Sequence, residues 1–189
     1  MTEYTDILGA HEKRASSESR IRTAALVLFP IVAVLFQVYV PLFFRYAGHL
    51  ELLLLATLFF ALKRRDSLLA LLYGAGTGLL EDSLSHQPLG MFGIVKTLVG
   101  YFAASVGTRF DVDNPLVRFT LTFFFYFFHQ FLHWVLARTL LQELQGFSIH
   151  ESLMLGLVNA VVAVPLFHVL DRLVTRGQRV AFFAINAPD

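Results

Sequence analysis

Six apolar runs, separated by short segments that carry nearly all of the charge, constrain this chain more than any other feature. A helix needs about 20 predominantly apolar residues to cross a ~30 Å hydrocarbon core. The runs predict an all-α integral membrane protein with about six transmembrane helices. The hydrophobic share of 56% exceeds the ~45–50% of soluble domains, and the excess is concentrated in the runs. The net charge of +1 offers no basic field for nucleic acid, which is excluded as a partner. The absence of cysteine excludes disulfides and thiolate metal sites.

The expected organisation is a polar tail over 1–23, a six-helix transmembrane domain over 24–175 and a short tail over 176–189. Span one covers about Ala24–Phe44 and contains Pro30 and Pro41. It is too long, and lacks the cleavage pattern, for a removed secretory signal, so it reads as a retained span. Spans two (Leu50–Leu62) and three (Ser67–Leu80) are short, and they reach bilayer length by borrowing Ala47–His49 and Glu81–Leu84. A re-entrant hairpin would instead bury Lys63, Arg64 and Arg65 in lipid, at a cost of several kcal/mol. Span four covers Leu89–Thr108, span five the Phe-rich Leu116–Leu140, and span six Ser152–Val174. Gly177 and Pro188 argue against a long final helix. With the N-terminus inside, 12 Lys and Arg flank the inner ends and only Arg45 and Arg138 the outer ones. That places both termini in the cytoplasm.

The richest stretch is Tyr73–Gly90, YGAGTGLLEDSLSHQPLG. Gly74, Gly78 and Asp82 share one helix face, and the GxxxG pair permits close backbone approach in lipid. Gly93, Lys96 and Gly100 share a face of span four, with Gly107 continuing it. A lysine within a span requires a partner or a route to the interface. Glu81 or Asp82 as the partner, or snorkelling of Lys96, are the readings open. His129 and His133 have the i, i+4 spacing of metal ligands, but no third ligand accompanies them, and ordinary polar packing is the competing reading. His168, Asp171 and Arg172 read as an interfacial ion cluster or a proton relay. Asn159 and the small residues around it read as a helix contact with one hydrogen-bonding group, followed by a kink at Pro165. No nucleophile motif, P-loop or dinucleotide fingerprint is present, so no catalytic residue, metal or cofactor is assigned.

The order of these motifs resembles the rod shape-determining MreD family: a basic turn, GxxxGLLED, SLSHQPLG opening the next span, then LGLVNAVVAVPLFHVLDRL. The matching positions are Gly74, Gly78, Asp82, Leu89, Gly90, Asn159 and Pro165, over roughly residues 24–175. The polar leader over 1–23 departs from the family pattern. The resemblance implies a non-enzymatic scaffold of the cell-elongation machinery in the bacterial inner membrane. The implied partners are MreC, RodA with its penicillin-binding transpeptidase, MreB filaments and membrane lipid. It also implies a fold similar to the substrate-binding components of energy-coupling-factor transporters. The alternative function is therefore a vitamin-type transporter component, lined by Gln37, Glu81, Asp82, Lys96, His129 and Asn159. As a scaffold, the chain would offer partner helices Gly74, Gly78, Gly93 and Gly100 for close packing. Phe123–Phe131 would add broad apolar contact, and the Lys63–Arg65 turn would meet anionic lipid or cytoplasmic partners.

Overall fold

In a computed structural model the described residues are 29–36, 49–85, 88–142 and 146–185, with side chains described as far as 173. The expected leader over 1–23, most of span one including Pro41, Gln37 and Arg45, and the final residues 186–189 lie outside them. The chain divides into two compact units, Pro30–Pro165 and, separately, Met1–Phe29 with Leu166–Asp189.

The described residues are predominantly helical. Residues 29–36 are helical (α1). They are followed by α2 (Leu52–Arg64), α3 (Ser67–Leu84), α4 (Met91–Gly107), α5 (Pro115–Leu140) and α6 (Ile149–Ile185). α5, and α6 as far as Leu173, are long and apolar enough to cross a bilayer, with mean hydropathies of 1.2 and 2.2. α4 is apolar but shorter, at 17 residues.

α2 is the central helix of the larger unit. Its ten residues Leu53 to Leu62 are all buried, and it packs on α3, α4 and α5. A helix that is apolar all round is a buried helix, and LLLLATLFFAL is such a sequence. Arg65 closes α2 in the left-handed conformation at φ 55°, its N–H donating to the Ala61 carbonyl. The Asp66 carboxylate then caps α3, accepting from Leu68 N and Leu69 N, both at 3.1 Å. This two-residue turn makes α2 and α3 a tight antiparallel pair.

Two expectations change. α2 does not begin by borrowing Ala47–His49: Leu50 and Glu51 are non-helical, and the helix starts at Leu52. The reason is a side chain from α6 that takes up the backbone groups there, described below. At the other end, α6 continues through Gly177 to Ile185 rather than stopping near 175. One glycine costs a helix only ~1 kcal/mol, and the sequence RVAFFAI behind it holds no helix breaker. α3, in contrast, does extend through Glu81 to Leu84.

A buried charge cluster at the start of α2

α3 and α4 pack on each other more extensively than any other pair among α2 to α5, and small residues explain it. Gly74 lies against the Lys96 carbonyl, Gly78 against the Phe92 carbonyl and Gly93, and Gly100 against the Ala70 carbonyl. A Cβ at Gly78 would come within 2.6 Å of the Gly93 Cα, which no packed structure tolerates. The glycines expected to receive partner helices are therefore occupied within the chain. Gly93 faces the Leu79 side chain and the Asp82 carboxylate, and Gly107 faces Leu62. Gly76, on the other side of α3, has nothing within 4 Å of a built Cβ.

That close approach brings two acids of α3 to α4, and they do different work. Asp82 is 2% exposed. It accepts from the backbone N–H groups of Gly90 at 2.9 Å, Phe92 at 3.0 Å and Gly93 at 3.0 Å. It is thus the N-terminal cap of α4, supplied from the preceding helix. Gly90 enters α4 at φ 98°, a conformation in which a Cβ is strained. Asp82 is therefore not the partner of Lys96.

Glu81 is that partner. Lys96 is fully buried, so snorkelling is excluded, and its Nζ pairs with Glu81 Oε2. A second carboxylate, Glu51, stands 4.0 Å from the same Nζ. Its Oε2 is buried without a hydrogen-bond partner among the described residues. Two acids therefore face one buried lysine. An uncompensated buried charge is costly, so each member of the cluster holds the others in place.

Glu51 reaches this position because α6 holds the chain there. Asn159, fully buried, accepts from Glu51 N at 3.0 Å. Its Nδ2 donates to the carbonyls of His49 at 3.1 Å and Leu155 at 3.0 Å. One amide thus satisfies the non-helical backbone that precedes α2. Nearby on α6, Gly156 lies against Tyr126 of α5. Within the α2–α3 pair, the Thr57 and Thr77 hydroxyls share a hydrogen bond of 2.8 Å.

His129 and His133 both stack on Phe92, at 6.0 and 4.8 Å between centroids. Lys96 Nζ lies 5.6 Å from the same ring. His129 is 1% exposed, and neither ring nitrogen has a hydrogen-bond partner among the described residues. No group of three or more potential metal ligands occurs among the described residues. On α6, His168 and Arg172 are exposed and Asp171 is half-buried, while Pro165 lies inside the helix.

At the opposite end of α2, Lys63 pairs with Asp113 at 3.2 Å, while Arg64 and Arg65 are exposed. Asp113 also accepts from Arg118 at 3.3 Å. Arg118, 7% exposed, donates through Nε to the Val112 carbonyl at 2.6 Å. The hydrogen bond from Lys63 is the main reason the Asp113 carboxyl is held below its usual range.

Of these residues, sequence reasoning missed Glu51 and the capping role of Asp82. The second was open to detection: α4 opens at Gly90-Met91 with no Ser, Thr, Asp or Asn beside it, so its N–H groups need an acceptor from elsewhere.

Two helices long and apolar enough to cross a bilayer, α5 and α6, beside a glycine-packed α3–α4 pair that encloses a lysine–glutamate pair, are consistent with a helical membrane protein. The profile of the family described as rod shape-determining protein MreD matches residues 17–174. The chain belongs to that family, whose role is in rod shape determination. No curated protein and no solved structure matches it.

Proposed function

We propose that this protein is a non-enzymatic scaffold of the cell-elongation machinery. It crosses the bacterial inner membrane six times with both ends in the cytoplasm. It binds MreC and links lateral peptidoglycan synthesis, through RodA and its transpeptidase, to MreB-directed cell shape. The observation that carries this reading is the family match over 17–174. The interior supports it. Among the described residues, buried Lys96 and Glu81 hold each other and buried Asp82 caps α4, which are packing roles suited to a scaffold.

With the α3 and α4 glycines occupied internally, one face open to a partner helix is aromatic. Tyr101, Phe102 and Phe124 are 43%, 44% and 57% exposed, and Phe128 bridges Phe102 and Phe124 by ring contacts. The test is co-purification of the full chain with MreC from membranes. The wild type is expected to retain MreC, and Phe102→Ala/Phe124→Ala to lose it while staying folded. A wild-type chain that brings down no wall-synthesis protein overturns the scaffold reading. The cysteine-free sequence permits a direct topology test. Single cysteines at Arg64 and Gln142 are expected to react with an impermeant maleimide from opposite sides of the membrane.

The second reading, a transporter substrate-binding component, needs an enclosed polar cavity. Of its proposed lining, Asp82 and Asn159 are committed to backbone groups, and Gln37 lies outside the described residues. A thermal-shift screen against vitamins tests it, and a saturable shift of the wild type would favour it.

A further inference from the structure

The cluster at the start of α2 sets two carboxylates against one ammonium. Lys96 is fully buried and Glu81 is buried with it. Glu51, with 20% of its side chain exposed, is the most open of the three. With both acids ionised, the cluster keeps an unbalanced negative charge inside the protein. Such a charge is costly, and a buried ionisable group relieves it by changing its proton count.

The surroundings supply no second cation among the described residues. From Leu53 to Leu62, α2 is uncharged. On α3, Asp82 adds another acid, committed to three backbone N–H groups of the α4 start. On α5, Tyr126 is a phenol that accepts from Gln130 at 2.9 Å. His129 and His133 share the Phe92 ring with Lys96. His129 is fully buried, and the Lys96 ammonium repels a proton placed there. α6 presents the Asn159 amide, and Glu151 of its first turn is one more acid. His49, ahead of α2, is exposed.

One oxygen marks where compensation fails. Glu51 Oε2 is buried, has no hydrogen-bond donor among the described residues, and stands 4.0 Å from the Lys96 Nζ, whose direct partner is Glu81. An anionic oxygen needs donors, as the three at Asp82 illustrate. A carboxyl group that carries a proton needs fewer.

We infer that this cluster is a proton-binding site, which at neutral pH holds one proton between the Glu51 and Glu81 carboxyl groups. The bound proton leaves one carboxylate for one ammonium. Exchange with solvent runs through Glu51, the more open acid. Asn159 of α6 accepts from the Glu51 N–H at 3.0 Å, so occupancy of the site is tied to the seating of α6 on the segment ahead of α2. This role is additional to the scaffold reading and does not depend on it.

Infrared spectroscopy of the detergent-purified full chain reads the proton directly, through the carbonyl band that a protonated carboxyl group has and a carboxylate lacks. At about pH 7 a free glutamate, with its value of about 4.3, is ionised. The wild type is nevertheless expected to show the band, at an intensity of one carboxyl group per chain, and to lose it as pH is raised. The folded chain then binds a proton that the unfolded chain does not, so its melting temperature should fall as the band disappears. Glu51→Gln leaves one acid for one lysine and should abolish both the band and that part of the melting shift. Asn159→Ala should move the loss of the band to a different pH, and an unmoved loss would overturn the tie to α6. A wild type without the band at about pH 7 overturns the inference, a result that needs no variant to fold. A band of full intensity in a folded Glu51→Gln chain does so too, because it then belongs to another carboxyl group.

Discussion

Lys96 shows how much a single side chain is tied to its surroundings. It is fully enclosed, paired with Glu81 and 4.0 Å from Glu51. Removing one partner of a buried pair leaves the other charge without compensation, at a cost of about 3–5 kcal/mol. Lys96→Met is therefore expected to lower detergent melting markedly. The double change Lys96→Met/Glu81→Leu should recover part of the loss, because no carboxylate is then stranded at the Glu81 position while Glu51 still lacks its cation. A double variant as unstable as the single one would show that the pair is not the stabilising unit. At this scale the sequence was partly legible. A lysine inside an apolar run announces a partner, and Glu81 was one of two acids within reach. What chooses between them is a rotation of one residue along α3. That rotation sends Asp82 to the N–H groups of α4 and Glu81 to the ammonium. Glu51 was illegible for a different reason. It stands just ahead of α2, and the Asn159 amide, 108 residues away, holds its backbone N–H.

Between elements, α3 and α4 adhere through absent side chains. Without a hydrophobic drive between helices in lipid, close packing and polar pairs hold them together. Gly78→Ala places a methyl group 2.6 Å from the Gly93 Cα, so the helices must part, at about 1–3 kcal/mol. Gly76→Ala meets nothing within 4 Å and is expected to be neutral or to stabilise by up to ~1 kcal/mol through helix propensity. Thermal denaturation of the two variants side by side checks the assignment. Equal effects would refute the contact. The GxxxG spacing marked this face in advance, and the boundaries of α3, α4 and α5 followed from the apolar runs. The start of α2 and the end of α6 did not. The first is set by a tertiary hydrogen bond and the second by residues whose modest helix preference outweighs one glycine.

Across the whole molecule, the larger unit carries ionic clusters at both ends of α2: Glu51, Lys96 and Glu81 at one, Lys63, Asp113 and Arg118 at the other. The second is exposed to pH. Because the Asp113 carboxyl is held below its ordinary 3.8, mainly by Lys63, its contribution is present above that value and is lost as pH falls through the folded one. Protection from hydrogen exchange in the 108–114 connection should therefore be kept above pH 3.8 and fall as pH drops below it in the wild type. In Asp113→Asn exchange should be quick throughout, and an unresponsive wild type would remove Asp113 as the tie. The enclosed α2 bears on how the chain is made. At 13 residues it is roughly 20 Å long, short of a ~30 Å core, and ten of those residues are covered by protein. During synthesis, a chain halted after α3 has Glu51 and Glu81 but not yet Lys96. Its first half cannot settle in the membrane as a finished piece. On the proposed six-span topology, insertion of α2 and α3 would await α4, and biogenesis would be a cooperative event rather than a span-by-span one.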